Sequence, residues 1–391
     1  MKLLILSSNN GGGHNSTAAA IREYYESQGF EVTVRDCLSF LSENVSELIS
    51  MSHIMIYRHL PWLTDDTHTK IHVTNTMFEE NHPVRQFIDL GKFSLRKFIH
   101  EEQFDTIICT HVFGGMMLSA ALQDEDRKIR TAIVETDYCN TPGSASNTMD
   151  FHFLPDESLK EELIHNGVSE EQIVISGIPV KKRVIHHMDP KAAKKLYGVP
   201  LDHAHIILMG GSMGCGPIPK LLDILSDRLS DTADISLVCG NNTRLEKETR
   251  ELYASRKNVH IFGYTPDMSV LYASADLFVT KPGGISTTEA AVLGLPMVLV
   301  QAVAGWETYN LNFFIDRNAA VTGETEEELV DCCEYLLRND EARKQISENL
   351  LKLAHPDSAE IIYRTLETDS RITAATGSFF LQQVNPAFWF F

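Results

Sequence analysis

The sequence predicts an α/β protein made of two doubly wound, Rossmann-like units that face each other across a cleft. Two observations predict it. The chain opens with a strand, a glycine turn, a helix and a strand, and a second opening of the same kind begins near residue 204. Between and after them, short apolar runs alternate with helical spacings, which implies parallel sheets.

In the first unit, residues 2–8 read as a buried strand, 9–14 as a Gly-rich turn, and 16–28 as a helix with Gly29 as its C′ residue. Residues 31–35, 106–110, 131–136 and 172–176 read as further strands, with helices over 84–99 and 157–166. In the second unit, the strand 204–209 runs into a glycine turn at 210–216 and a helix at 219–229. Strands at 235–239, 259–262, 277–280 and 297–300 follow, with helices at 243–255, 268–274 and 286–293. A helical tail starts with Thr325 as N-cap and Glu328 as its capping-box partner. The expected division is a first domain over 1–185, a second over 186–356, and a C-terminal helix with an aromatic tail over 357–391, packed back on the first domain or on a membrane. Ligands of such sheets bind beyond the carboxyl ends of strands, which is where both glycine turns lie.

Composition excludes several classes. The 391 residues carry 34 basic and 53 acidic side chains, a formal charge of -19, so nucleic acid is not the expected partner. The seven cysteines are scattered without a CxxC pair and the sixteen histidines without HExxH, so neither a disulfide frame nor a metal site is expected. No run approaches the roughly 20 apolar residues of a membrane span, and the first apolar run is too short for a signal-peptide core. A cytoplasmic protein is expected, with any membrane contact peripheral, on the inner face. Two segments invite such contact: residues 39–82, with Ile54, Met55, Ile56, Tyr57 and Trp62, and the tail with Phe379, Phe380, Phe388, Trp389, Phe390 and Phe391.

Four constellations carry the chemistry. Asn9-Asn10-Gly11-Gly12-Gly13-His14 puts glycines after a strand and an imidazole at a helix start, where the dipole favours the neutral, basic ring. His14 reads as a general base or as a capping histidine. Gly12, Gly13 and His111 are expected on the acceptor side. Gly210-Gly211-Ser212-Met213-Gly214-Cys215-Gly216 suits a pyrophosphate, or is a tight turn alone, and lacks the Lys-Ser/Thr pair of a P-loop. In Lys281-Pro282-Gly283-Gly284-Ile285-Ser286-Thr287-Thr288-Glu289, Ser286 or Thr287 caps a helix. Glu289 either accepts the hydroxyls of a ribose or closes a capping box with Ser286. Ala304-Gly305-Trp306-Glu307-Thr308-Tyr309-Asn310 is a strand-end loop whose carboxylate and amide suit sugar hydroxyls.

In this order the motifs resemble glycosyltransferase family 28, and most of all its diacylglycerol glycosyltransferases: monogalactosyldiacylglycerol synthases and processive diacylglycerol glucosyltransferases. The stretch 281–291 is the most specific match, and 133–138 and 176–180 follow the family's N-terminal domain. The resemblance implies a GT-B fold and inverting transfer of a hexose from a UDP-sugar, without metal or cofactor, to the hydroxyl of diacylglycerol or a glycolipid. By the resemblance, His14 and Asp137 are the expected catalytic residues: His14 serves catalysis or acceptor binding, and Asp137 lies in a TD motif near the acceptor. Gly211, Ser212 and Gly214 match the phosphate-side loop, while Phe262, Gly263 and Tyr264 match the loop against the uracil. Lys281, Gly283, Gly284, Ser286 and Thr287 stand near the diphosphate, and Glu289 matches the ribose-binding glutamate. Gly305, Trp306, Glu307 and Asn310 stand near the donor sugar. The family's Pro-Gly-Gln-Glu is replaced here by Ala304-Gly305-Trp306-Glu307, so Trp306 stacks on a sugar or blocks one. The acceptor segment 141–147 is small and polar. Two rivals keep the fold and change the function: a UDP-sugar epimerase or hydrolase, and a nucleotide-sugar-binding regulator.

Overall fold

A computed structural model describes residues 1–9, 12–42, 82–123, 129–185, 188–302 and 305–368. Most of the 39–82 segment and all of the aromatic tail, on which the expected membrane contacts fall, lie outside the described residues.

The described chain forms two six-stranded, wholly parallel sheets. The first contains β1 (Lys2–Ser7), β2 (Glu31–Asp36), β3 (Thr106–Cys109), β4 (Arg130–Val134), β5 (Phe151–Leu154) and β6 (Ile173–Ile175), in the order β2-β1-β3-β4-β5-β6. The second contains β7 (Ala204–Met209), β8 (Ala233–Val238), β9 (Val259–Phe262), β10 (Leu277–Thr280), β11 (Met297–Leu299) and β12 (Val321–Thr322), in the order β12-β11-β10-β7-β8-β9.

Strand β1 shows why its sequence is apolar throughout. Leu4 and Leu6 enter one core with Cys109 and Met116, while Leu3 and Ile5 enter another with Ile21 and Tyr25. A strand covered on both faces has no polar alternation. Each sheet has one place where the strand order reverses, between β1 and β3 and between β7 and β10. Such switch points open a crevice beyond the carboxyl ends of the strands. The turns after β1, β3, β7 and β10 therefore converge on the gap between the sheets.

The structure departs from the sequence reading in several places, the unread strands β5 and β12 among them. The single helix expected over 84–99 is two, Pro83–Asp89 and Lys92–Glu102, separated at Leu90-Gly91. The helix Val112–Leu122, which contains Gly114 and Gly115, has no counterpart in the sequence reading. In the fold they let the helix press onto the sheet, since a Cβ on Gly114 would stand 3.2 Å from the Leu6 Cβ. Residues 305–310 are not a loop but the start of the helix Gly305–Asp316. The helix expected from 286 begins two residues earlier, as Gly284–Leu293 with Gly283 as N-cap, so neither Ser286 nor Thr287 is the cap. Thr287 lies within the helix and donates to the Gly283 carbonyl at 3.0 Å. At Thr325 and Glu328, by contrast, the capping box forms as the sequence predicts.

The last described helix, Ser358–Thr368, crosses back to the first sheet. Ile362 and Leu366 are fully buried beside Ile21 and Tyr25. Glu367 accepts from the Thr106 hydroxyl at 3.0 Å and forms an ion pair with Arg130. Among the described residues, no helix is long and apolar enough to cross a membrane.

Candidate active site between the two sheets

His14 stands on the first turn of the helix Gly12–Ser27, at the switch point of the first sheet. Its Nδ1 lies 2.8 Å from the carbonyl oxygen of Thr110, just past β3, and 3.0 Å from the Thr136 hydroxyl, just past β4. A carbonyl can only accept, so this contact assigns the proton to Nδ1. The neutral ring then carries its lone pair on Nε2. Burial lowers the pKa of His14, and the opposing pulls of Asp137 and of the Thr110 hydrogen bond do not cancel it. The imidazole is thus neutral and basic near pH 7. His111 packs edge-on against it, with ring centroids 4.6 Å apart, and its own Nδ1 accepts from the Phe113 N–H to cap a helix. His14, His111, Thr136, Asp137 and Trp306 line one cavity, together with Glu135 and Thr141.

The two halves touch around this cavity, and glycine makes the approach practicable. A Cβ on Gly284 would stand 2.0 Å from the carbonyl oxygen of Thr136, and one on Gly12 would stand 2.7 Å from the Ser212 Oγ. Any side chain at either position would push the halves apart. Gly13 sits opposite Ile285. Asn310 acts as a latch: its Oδ1 accepts from the Tyr138 N–H at 2.6 Å, and its Nδ2 donates to Asp137 Oδ1 at 2.7 Å and to the Pro282 carbonyl at 2.9 Å. One amide hydrogen thereby crosses to Asp137 in the other half, and the second is held within the C-terminal half by Pro282. Tyr138 completes the contact, stacked on Phe313 at 4.2 Å with its hydroxyl 3.0 Å from that of Thr288. Burial raises the pKa of Asp137, with the Asn310 bond and His14 pulling the other way.

On the opposite wall, the turns after β7 and β10 come together. Gly211 and Gly214 have φ of 69° and 59°, a backbone region that disfavours other residues. Lys281 lies over Gly211 and pairs with Glu307, which the helix Gly305–Asp316 brings to the same side as Asn310, one turn on. Burial depresses the Lys281 ammonium, but attraction to Glu307 outweighs it and its pKa is raised. Glu289 does not close a capping box: its Oε2 accepts from the Tyr272 hydroxyl at 2.9 Å. Burial lifts its pKa to about 7, against the Tyr272 hydrogen bond and the charges of Lys181 and Arg183. Phe262 packs edge-on against Tyr197, and Tyr264 is exposed. Among the described residues, no group of three or more His, Cys, Asp or Glu is arranged to hold a metal ion.

The sequence reading missed Thr110 and Tyr272, the partners that orient His14 and Glu289. A backbone carbonyl acceptor is invisible in a sequence, and Tyr272 lies 17 residues before Glu289. Glu135 had one signal, its place beside Thr136-Asp137.

Comparison with known proteins now decides the family. Residues 14–180 match the family model of monogalactosyldiacylglycerol (MGDG) synthase, and residues 205–362 match the glycosyltransferase family 28 C-terminal domain. The chain carries a glycosyltransferase family 28 C-terminal domain. Processive diacylglycerol beta-glucosyltransferase of Bacillus subtilis is 28% identical over 292 residues, 74% of this chain and 75% of that protein. Among solved structures, MurG of Acinetobacter baumannii superposes with a TM-score of 0.60 at 17% identity, covering 94% of this chain and 99% of that one. A UDP-GlcNAc 2-epimerase from Neisseria meningitidis bound to UDP-GlcNAc gives the same TM-score at 14% identity, covering 94% and 100%. These superpositions establish the GT-B fold and nothing finer, since the fold hosts both transferases and epimerases. The two family models, not the superpositions, separate those classes and mark this chain as a glycosyltransferase.

Proposed function

We propose that this chain moves a hexose, with inversion and without metal, from a UDP-sugar to a hydroxyl of diacylglycerol or a glycolipid at a membrane surface. The observation that carries the reading is His14: a neutral imidazole, fixed through Nδ1, on the wall of a cavity that the donor half closes. In a single displacement the acceptor oxygen bonds to the anomeric carbon, and the bond from that carbon to the diphosphate oxygen breaks. His14 Nε2 takes the acceptor's proton, and UDP departs with the electron pair. The Gly211–Gly214 turn, the start of the helix Gly284–Leu293 and Lys281 stabilise the leaving diphosphate, while Glu289 accepts from the ribose hydroxyls. Asp137 raises the basicity of His14 through its charge. Trp306 contributes to the acceptor cavity and bounds the sugar from that side. Supporting the lipid acceptor is the likeness to a protein named for diacylglycerol.

The test is transfer of label from UDP-glucose, UDP-galactose and UDP-N-acetylglucosamine to membranes containing diacylglycerol, with EDTA present. The expected result is a glycolipid product from one of these donors. His14→Ala should lower kcat by roughly 10²–10⁴-fold while UDP binds as before. Near-normal transfer by that variant would refute the base assignment, and conversion of donor without acceptor would favour an epimerase or hydrolase.

A further inference from the structure

Half of the buried side-chain atoms without a hydrogen-bond partner, among the described residues, fall between Glu135 and Asn147: Glu135 Oε1, Asn140 Oδ1, Ser144 Oγ and both polar atoms of Asn147. All four side chains are more than nine-tenths buried, Glu135 to 3% exposure. The stretch joins β4 to β5 at the carboxyl edge of the first sheet, and Glu135 and Thr141 line the same cavity as His14 and Trp306. Glu135 Oε2 accepts from the Thr141 hydroxyl at 2.6 Å. The Ser144 hydroxyl lies close enough to favour the ionised carboxylate, yet completes no hydrogen bond with it.

A buried polar atom left unpaired costs about 1–3 kcal/mol, more when charged. Native proteins rarely tolerate several together unless something else supplies the partners. The reaction outlined above does not use Glu135, because His14 takes the proton. Glu135 lines the acceptor cavity, beside a segment of small residues: Thr141, Gly143, Ser144, Ser146 and Asn147.

We propose that Glu135 is a specificity-determining residue that accepts a hydrogen bond from a second hydroxyl of the acceptor, next to the one that reacts at His14. Its ligand is therefore a polyhydroxylated headgroup, a sugar- or polyol-bearing lipid, rather than diacylglycerol itself. This rests on the transferase reading. Diacylglycerol has one free hydroxyl; once that hydroxyl faces His14, none remains for Glu135. A glycosyl headgroup offers neighbouring hydroxyls, each able to donate to Glu135 and accept from Ser144.

The experiment uses the full chain, the UDP-hexose it turns over, and two acceptors in mixed micelles: octyl glucoside and dioleoylglycerol. The wild type should transfer to octyl glucoside with the higher kcat/KM. Glu135→Gln should raise the KM for octyl glucoside by about tenfold or more, the size of one hydrogen bond to a charged group. It should change kcat less, leave dioleoylglycerol kinetics within twofold, and leave UDP affinity unaltered. Glu135→Asp should restore part of the loss. Thr141→Val, which frees the other carboxylate oxygen, should act in the same direction more weakly, and carries the test if Glu135→Gln does not fold. Equal losses on both acceptors, no loss on either, or wild-type transfer to dioleoylglycerol alone would overturn the proposal and leave the transferase reading standing. Failure to bind UDP or to consume any UDP-hexose would overturn both.

Discussion

On the C-terminal wall of the cleft, the charged side chains have partners from their own half: Glu289 has Tyr272, and Lys281 has Glu307. On the N-terminal wall, Glu135, Ser144 and Asn147 keep buried atoms unpaired, and Asp137 is satisfied by Asn310 from the opposite half. The difference is physical before it is functional. A site whose polar groups are paired internally is preorganised and holds its shape alone. A wall with open donors and acceptors is completed by whatever enters between the halves. Such a division suits a nucleotide sugar bound by one wall and a variable acceptor bound by the other.

The comparison breaks if the donor wall fails to work by itself, and two substitutions ask whether it does. The larger effect is expected from Glu289→Ala, which removes the proposed acceptor of the ribose hydroxyls and leaves Tyr272 OH buried without its partner. UDP affinity should fall about 10–100-fold by calorimetry, the range for hydrogen bonds to a charged group; an unchanged affinity would remove the ribose role. Gly284→Ala should show the opposite pattern. Its Cβ would stand 2.0 Å from the Thr136 carbonyl, so the halves cannot close, yet every donor-side pairing survives. We expect kcat to drop roughly tenfold or more, because a misplacement of about 1 Å between reactants costs that much and beyond, with UDP affinity within about threefold. Equal loss of both would mean that the walls do not act separately.

Much of the fold was legible in the sequence because its signals are local. Apolar runs bounded by glycine turns give the strands, and Thr325 with Glu328 three residues on gives a helix start. The misreadings arise where tertiary contacts overrule local signals. Gly114 and Gly115 look like helix breakers until Leu6 and Asn147 are seen to occupy the space their side chains would need. Of the site, the glycine turns, His14, Lys281 and Glu289 could be found by motif. What each one touches could not. Thr110, Thr136 and Asp137 reach His14 across more than ninety residues, and Asn310, expected beside a sugar, uses its amide between the halves. Sequence reports residue type at a turn; the crossover connections of the sheet decide which turns meet.

The smallest effect sharpens the comparison most, because it puts the same perturbation on both walls. Burial raises Glu135 and Glu289 alike, each from the ordinary carboxylate range to about 7. A carboxyl with a raised folded-state pKa contributes stability that is complete below the unfolded value near 4.5 and is lost as pH rises through about 7. Both residues should therefore lower the melting temperature between pH 5 and pH 8, and Glu135→Gln or Glu289→Gln should each flatten that slope. Nucleotide then separates them. A ribose hydroxyl donating to Glu289 favours the ionised form, so UDP should bind about 3–10-fold more tightly at pH 8 than at pH 6, beyond what the ionisation of UDP itself supplies. Glu289→Gln should abolish that excess and Glu135→Gln should keep it, because UDP alone does not reach the acceptor wall. If Glu135→Gln removed the excess instead, the nucleotide would lie against the N-terminal half, and the assignment of donor and acceptor to the two walls would have to be exchanged.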